Sequence, residues 1–191
     1  MKTGTLAGLT TLEVSCDRLR GFDNRQEFED ALAQAFKGLP KLERLILYCK
    51  SPSTVSKILL EGLDTAALFS LKYLRIQHCR GTPPPSMYDR LTNILDLDLC
   101  CCDEELFLPL LSTLDEGGSQ RLHTLKLSMS GVQTEHACKL LQMISDGKLP
   151  SIKDLDLEGN QFSRAGKARL QMAAKKYPGL WLETGRDSLS G

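Results

Sequence analysis

The amino-acid sequence predicts an α/β solenoid, a curved arc of about six or seven repeats with parallel strands on the concave face and helices on the convex face. One leucine pattern, L-x-x-L-x-L-x-x-(N/C/S/T), returns along the 191 residues at a mean spacing of about 28 residues. The segments between its copies carry apolar residues at helical spacing. Units of one strand and one helix at such a period stack side by side into a solenoid.

Each copy of the pattern predicts one short strand whose leucines point to the same side, because side chains alternate along a strand. The last copy is degenerate and is interpreted as Tyr177, Leu180 and Leu182. The predicted strands cover residues 12–15, 45–48, 74–77, 97–100, 125–128, 155–158 and 180–183.

The segments between the strands predict helices. Apolar stripes indicate helices over residues 27–36 and 53–63. The proline run from Gly81 to Pro85 excludes helix, so that unit should hold only a short one, over about residues 87–91. Three further helices each follow a residue that can cap an N-terminus, namely Asp103, Thr134 and Ser163.

The last pattern position favours a small polar or sulfur side chain that can bond backbone groups where the chain leaves the strand. Four residues fit this role, Cys79, Cys102, Ser130 and Asn160. The seven cysteines are odd in number and no export signal accompanies them, so we expect reduced thiols in the cytoplasm. Neighbours in the run Cys100-Cys101-Cys102 point to opposite faces, so we predict no metal site there.

The sixth unit resembles the ribonuclease-inhibitor-like class of leucine-rich repeats. Residues Ile152 to Ser163, followed by Ala165, Gly166 and Leu170, look like LxxLDLxxNxLxxxGxxxL. The resemblance covers the chain as an architecture, although only this unit and the fifth match closely, and it implies a single leucine-rich-repeat domain over residues 1–191. Because the chain begins almost on its first strand, we also expect a fragment or a module of a larger assembly.

The positions between the inward leucines should form an open, concave surface. On two adjacent strands they hold Ile46, Tyr48, Tyr73 and Arg75, the composition that dominates protein interfaces. Near the other end an acidic rim, formed by Asp154, Asp156, Glu158 and Glu183, surrounds the single tryptophan. The predicted partner-binding residues are Arg44, Ile46, Tyr48, Tyr73, Arg75, Asp98, Asp156, Glu158 and Trp181.

Another protein is therefore the expected partner. The 24 basic and 24 acidic residues give a formal charge of zero, which disfavours nucleic acid and anionic membrane as partners. No apolar stretch reaches the length of a membrane span. Two alternatives stay open: a structural subunit of a large cytoskeletal, ciliary or other assembly, and, less favoured, a fragment of a ubiquitin-ligase-type substrate receptor.

Catalysis is not expected, and we assign no catalytic residue and no cofactor. His78 lies beside Cys79 in sequence, but an open solenoid face offers neither a substrate cleft nor an oxyanion site. The carboxylate pair Asp96 and Asp98, like the pair Asp154 and Asp156, should face solvent, where nothing would raise a carboxyl pKa.

Overall fold

The computed structural model describes residues 8–15, 38–48, 70–83, 86–89 and 91–185. In these residues seven strands form a single sheet in the order β1 to β7, and every neighbouring pair is parallel. The strands are β1 Thr11–Ser15, β2 Arg44–Tyr48, β3 Tyr73–Gln77, β4 Asp96–Asp98, β5 Thr124–Lys126, β6 Asp154–Asp156 and β7 Trp181–Glu183.

Four helices occur in the described residues, namely α1 Ser86–Asp89, α2 Glu104–Asp115, α3 Thr134–Ser145 and α4 Arg164–Ala174. The predicted α/β class and the parallel sheet are therefore confirmed, and sequential parallel strands with intervening helices are compatible with a curved solenoid. The helices predicted over 27–36 and 53–63 lie outside the described residues. Within the described part, no helix has both the length and the apolar character needed to cross a membrane.

One row of leucines runs across the sheet in register. Leu12 pairs with Leu45, and the row continues through Leu74, Leu97 and the later strands. Its last step joins Leu155 to Leu182, whereas the sequence pattern had aligned Leu180 there. That alignment was wrong by two residues. Leu180 and Leu182 lie on the same face of the strand, so alternation could not distinguish them, and only the hydrogen-bond pairing does.

The core lies on the leucine side of the sheet. Strand leucines such as Leu97 and Leu125 share one buried cluster with the helix residues Leu106, Phe107 and Leu140. In the described residues, the helices therefore cover one side of the sheet and leave the other side open. Helix α3 also contacts α2 through the rings of His136 and Phe107, whose centroids are 5.5 Å apart in an edge-on arrangement.

Asn160 and Ser130 bond the backbone where the strands end, as the sequence predicted. The Asn160 amide donates to the carbonyls of Leu127 and Leu157, both at 2.8 Å. Its oxygen accepts the N–H groups of Ser130 and Val132 at 3.0 and 2.9 Å. The Ser130 hydroxyl donates to the Leu99 carbonyl at 2.7 Å. Buried side chains thus tie each unit to its neighbour.

Cys102 has the equivalent role one unit earlier. Its thiol donates to the Ile76 carbonyl at 3.2 Å, and its N–H donates to the Ser130 hydroxyl at 3.3 Å. Cys79 is also buried in the core. Cys16 and Cys49 lie outside the described residues.

The turns after the strands share a left-handed backbone residue. His78, Cys101 and Met129 adopt φ values of 57°, 58° and 55°, and Gly159 occupies the same place in the next unit with a φ of 70°. The left-handed conformation costs a side-chain-bearing residue about 1 kcal/mol. Four consecutive units repeat this turn, and only Gly159 adopts it without that cost.

Helix starts differ in detail from the predicted caps. Ser163 caps α4 as expected, accepting the Gly166 N–H at 3.0 Å. Asp103 precedes α2 without a side-chain cap bond, and it instead accepts the Gly81 N–H at 3.2 Å. Gln133, and not Thr134, is the N-cap of α3, because Gln133 and His136 form a reciprocal capping box. The short helix begins at Ser86 and ends at Asp89.

Candidate functional site

The open side of the sheet, which we call the strand face, consists of the alternate strand side chains that point away from the leucines. Register pairing arranges them in rows. The central row runs across the seven strands as Glu13, Ile46, Arg75, Asp98, Lys126, Asp156 and Glu183. From Arg75 to Asp156 its charges alternate in sign, so neighbouring side chains on this row attract each other.

Tyr73 is the aromatic centre of the strand face. The Arg44 guanidinium lies over its ring, with Cζ 3.6 Å from the ring centroid, and that of Arg75 lies at 5.8 Å. Both distances lie within the range of cation–π attraction. Arg44 is exposed, and Tyr73 and Tyr48 are half-buried. Tyr48 pairs in register with Gln77, about 13 Å along the strands from Tyr73, and Arg75 joins the two tyrosines by contacting both. Together they present an aromatic and cationic surface on adjacent strands, as the sequence predicted.

Arg75 is held by groups of the protein itself. Its Nε lies 2.6 Å from the Asp98 Oδ2, and the Asp98 side chain is only 6% exposed. Burial acts to lower the pKa of Arg75, but hydrogen bonding to Tyr48 and the charge of Asp98 outweigh it, so the pKa is raised. Arg75 is thus a positioned group that links Tyr48 to the adjacent strand.

Two predicted binding residues, Ile46 and Asp98, are buried, at 7% and 4% exposure, so the expectation that they face solvent was wrong. Ile46 lies in register between Glu13 and Arg75, whose longer side chains stand on strands only about 4.8 Å away. Asp98 is enclosed by Arg75 and also accepts the Cys100 N–H at 3.2 Å. Neither side chain is available for a partner to contact.

Carboxylates at three strand ends have a local role that the sequence analysis missed. Asp98, Asp156 and Glu183 each accept the N–H of the residue two positions later, at 3.2, 2.9 and 3.0 Å. This is the turn-forming bond that short acidic side chains favour. The signal was present in the sequence, because an acidic residue recurs at the same position of three repeats.

Hydrogen bonds near Asp156 link three neighbouring repeat units. Its Oδ2 accepts the Ser128 hydroxyl at 3.3 Å, and that hydroxyl lies 2.9 Å from the Cys100 Sγ. Burial, together with Asp98, raises the pKa of the Cys100 thiol to about 12. Cys100 is therefore a thiol at neutral pH, which is the unreactive form of the side chain.

The pKa of the Asp154 carboxyl is raised, whereas the sequence led us to expect no such rise. Burial raises that pKa first, and the charges of Asp156 and Asp96 add to the effect, while Lys126 opposes it. Asp154, Asp96 and Lys126 line a depression of 310 Å³ whose opposite wall holds Tyr73 and Arg75. The aromatic patch and the acidic residues are thus joined by one concavity.

The acidic end of the strand face presents Trp181 and Glu158, both exposed, beside the half-buried Asp156. Trp181 is 68% exposed and pairs in register with Asp154. Strand β7 lies four strands beyond β3, so Trp181 is roughly 20 Å along the sheet from Tyr73. In the described residues, no group of three or more His, Cys, Asp or Glu side chains is arranged to hold a metal ion.

Comparisons with known proteins indicate neither a family nor a function for this chain. No protein-family model matches the chain, and no curated protein matches it. Among solved structures, it is similar to a Bacteroides fragilis protein whose crystal structure was determined by the Northeast Structural Genomics Consortium. The two share 19% identity over 100% of this chain and 68% of that chain, with a TM-score of 0.43. A similarity this low does not indicate a function.

Proposed function

We propose that this chain is a leucine-rich-repeat protein of the ribonuclease-inhibitor-like class and that it binds another protein through a concave strand face. The repeated leucine register and the Asn160 bonds between units support the class. The observation that carries the function is the presence of Tyr48, Tyr73 and Arg44 on one face of two adjacent strands, with Arg75 fixed between the two tyrosines. Tyrosine and arginine side chains held in place contribute strongly to interface energetics.

The partner contacts two regions under this proposal. Tyr48 and Tyr73 form the anchor, and a basic part of the partner faces Asp156, Glu158 and Trp181 about 20 Å away. Arg75 and Asp98 position the anchor without contacting the partner, because Asp98 is buried and Arg75 is engaged with it. The binding energy therefore concentrates on the aromatic end, and the acidic end contributes to orientation and association rate.

The test is capture of partners from source lysate by the wild-type chain and by the Tyr48→Ala/Tyr73→Ala variant, followed by mass spectrometry. We expect the variant to lose the captured protein but to remain folded, as shown by a cooperative melting transition. The matched control is Leu108→Ala/Met172→Ala, which removes two exposed apolar side chains from the helices. Equal capture by the wild type and the tyrosine variant, or equal loss in both variants, would contradict the proposal.

A further inference from the structure

A second surface depression lies away from the strand face, where helices end and strands begin. It has a volume of 660 Å³, within the range of about 300–1,000 Å³ typical of ligand sites. It is lined by residues that immediately precede three consecutive strands: His123 before β5, residues 149–153 before β6, and residues 176–180 before β7. Because it spans three units, it runs for roughly 10 Å along the sheet edge. We call it the basal groove.

The basal groove combines an apolar lining with cationic groups. Ile144 and Leu180, both half-buried, contribute apolar surface above the buried Leu149 and Ile152, and the half-buried Tyr177 adds an aromatic ring. The charged or titratable groups of the lining are Lys153, Lys176, His123 and the Tyr177 hydroxyl, and no carboxylate is among them. The groove therefore differs in charge from the acidic strand face of the same units.

The two lysines of the basal groove are free of ion pairs within the described part of the chain. Lys153 and Lys176 are exposed, and neither forms an ion pair with any residue of the described segments. In contrast, Lys72 pairs with Glu43, and Lys139 and Lys148 both pair with Asp115. Two unpaired ammonium groups beside apolar surface favour a ligand that supplies both negative charge and an apolar side chain.

We propose that the basal groove binds a short acidic peptide segment carrying apolar side chains. A length of roughly 10 Å accommodates about three residues of extended chain. Alternation along such a chain would direct an apolar side chain toward the half-buried Ile144 and Leu180 and acidic side chains toward Lys153 and Lys176. The apolar lining and the small number of cations make a peptide a better fit than nucleic acid, whose binding surfaces are much more positive.

The test measures fluorescence anisotropy of a labelled Glu-Leu-Glu-Leu-Glu peptide at low salt, using the full chain. We expect saturable binding that weakens roughly tenfold or more in Lys153→Glu/Lys176→Glu. The affinity of Lys153→Gln/Lys176→Gln should lie between those of the wild type and of Lys153→Glu/Lys176→Glu. This milder change controls for misfolding of the charge-reversed variant. The matched control, Arg164→Glu/Arg169→Glu, makes the same charge change on exposed positions of α4 outside the groove and should bind within about twofold of wild type.

Several outcomes would overturn the proposal. They are absence of saturable binding, equal weakening in the lysine and arginine variants, and tighter binding of Lys-Leu-Lys-Leu-Lys or of a single-stranded oligonucleotide. Sedimentation that shows self-association lost in Lys153→Glu/Lys176→Glu would instead assign the groove to a second copy of the chain. Tyr48→Ala/Tyr73→Ala should leave peptide binding unchanged, so the groove and the strand face can fail independently.

Discussion

At the scale of single residues, the strand face is organised by bonds that its side chains make with each other. Arg75 connects Tyr48 to Asp98 and lies near Tyr73, whose ring also lies under the Arg44 guanidinium. The sequence placed Arg44, Tyr48 and Tyr73 on this surface correctly. It could not show that Ile46 and Asp98 are buried, because their burial depends on how far side chains of the neighbouring strands extend over them.

Removal of Arg75 should destabilise the fold. In Arg75→Ala the buried Asp98 carboxylate loses its ion-pair partner and keeps, among the described residues, its bonds to the Cys100 N–H and thiol. We therefore expect a loss of about 2 kcal/mol in the free energy of unfolding, measured by urea denaturation. The control Lys72→Ala breaks an exposed ion pair with Glu43 and should cost less than about 0.5 kcal/mol. Equal losses in the two variants would show that the Arg75–Asp98 pair behaves as an ordinary surface pair.

Asp154 should make stability depend on pH. Because folding raises its pKa, the folded state holds this proton more tightly than the unfolded state does, and ionisation of Asp154 opposes folding above that pKa. Asp154→Asn should therefore raise the melting temperature at pH 7 by roughly 1–2 °C. The advantage should shrink as the pH falls through the raised pKa and disappear below about pH 3, where the wild-type carboxyl is protonated in both states. A gain that persists at low pH would assign the effect to another cause.

At the scale of elements, the leucine pattern predicted where the strands lie, because burial of one strand face requires a period of two. The same periodicity was insufficient for the last strand, since Leu180 and Leu182 share a face and only pairing with Leu155 distinguishes them. The cap of α3 was misplaced by one residue for a similar reason. Gln133 caps that helix through a reciprocal bond with His136, which local preference for threonine did not reveal.

Asn160 should be the strongest single link between units. Asn160→Ala would leave four buried backbone groups of Leu127, Ser130, Val132 and Leu157 without their side-chain partner, so we expect a loss of about 3 kcal/mol or more in the free energy of unfolding. Hydrogen exchange should also speed up at the amides of Ser130 and Val132. The exposed neighbour Gln161 supplies the control, and a Gln161→Ala variant as unstable as Asn160→Ala would refute this role.

At the scale of the whole molecule, a net charge of zero conceals a separation of charge. Arg44 and Arg75 lie at one end of the strand face, and Asp156, Glu158 and Glu183 lie at the other. Composition alone disfavoured nucleic acid and anionic membrane as partners, but it could not show this division. The division requires the order of the strands, since residues far apart in sequence form one face only after the units stack.

The central claim is that a partner contacts the strand face at its aromatic end. Its most direct test is photo-crosslinking with p-benzoylphenylalanine in place of Tyr73, compared with the same group in place of Leu108, an exposed position on helix α2. Both variants are incubated in source lysate and irradiated, and the adducts are resolved by mass. We expect one defined adduct from position 73 and none from position 108. Adducts from position 108 alone, or the same adducts from both positions, would contradict the claim.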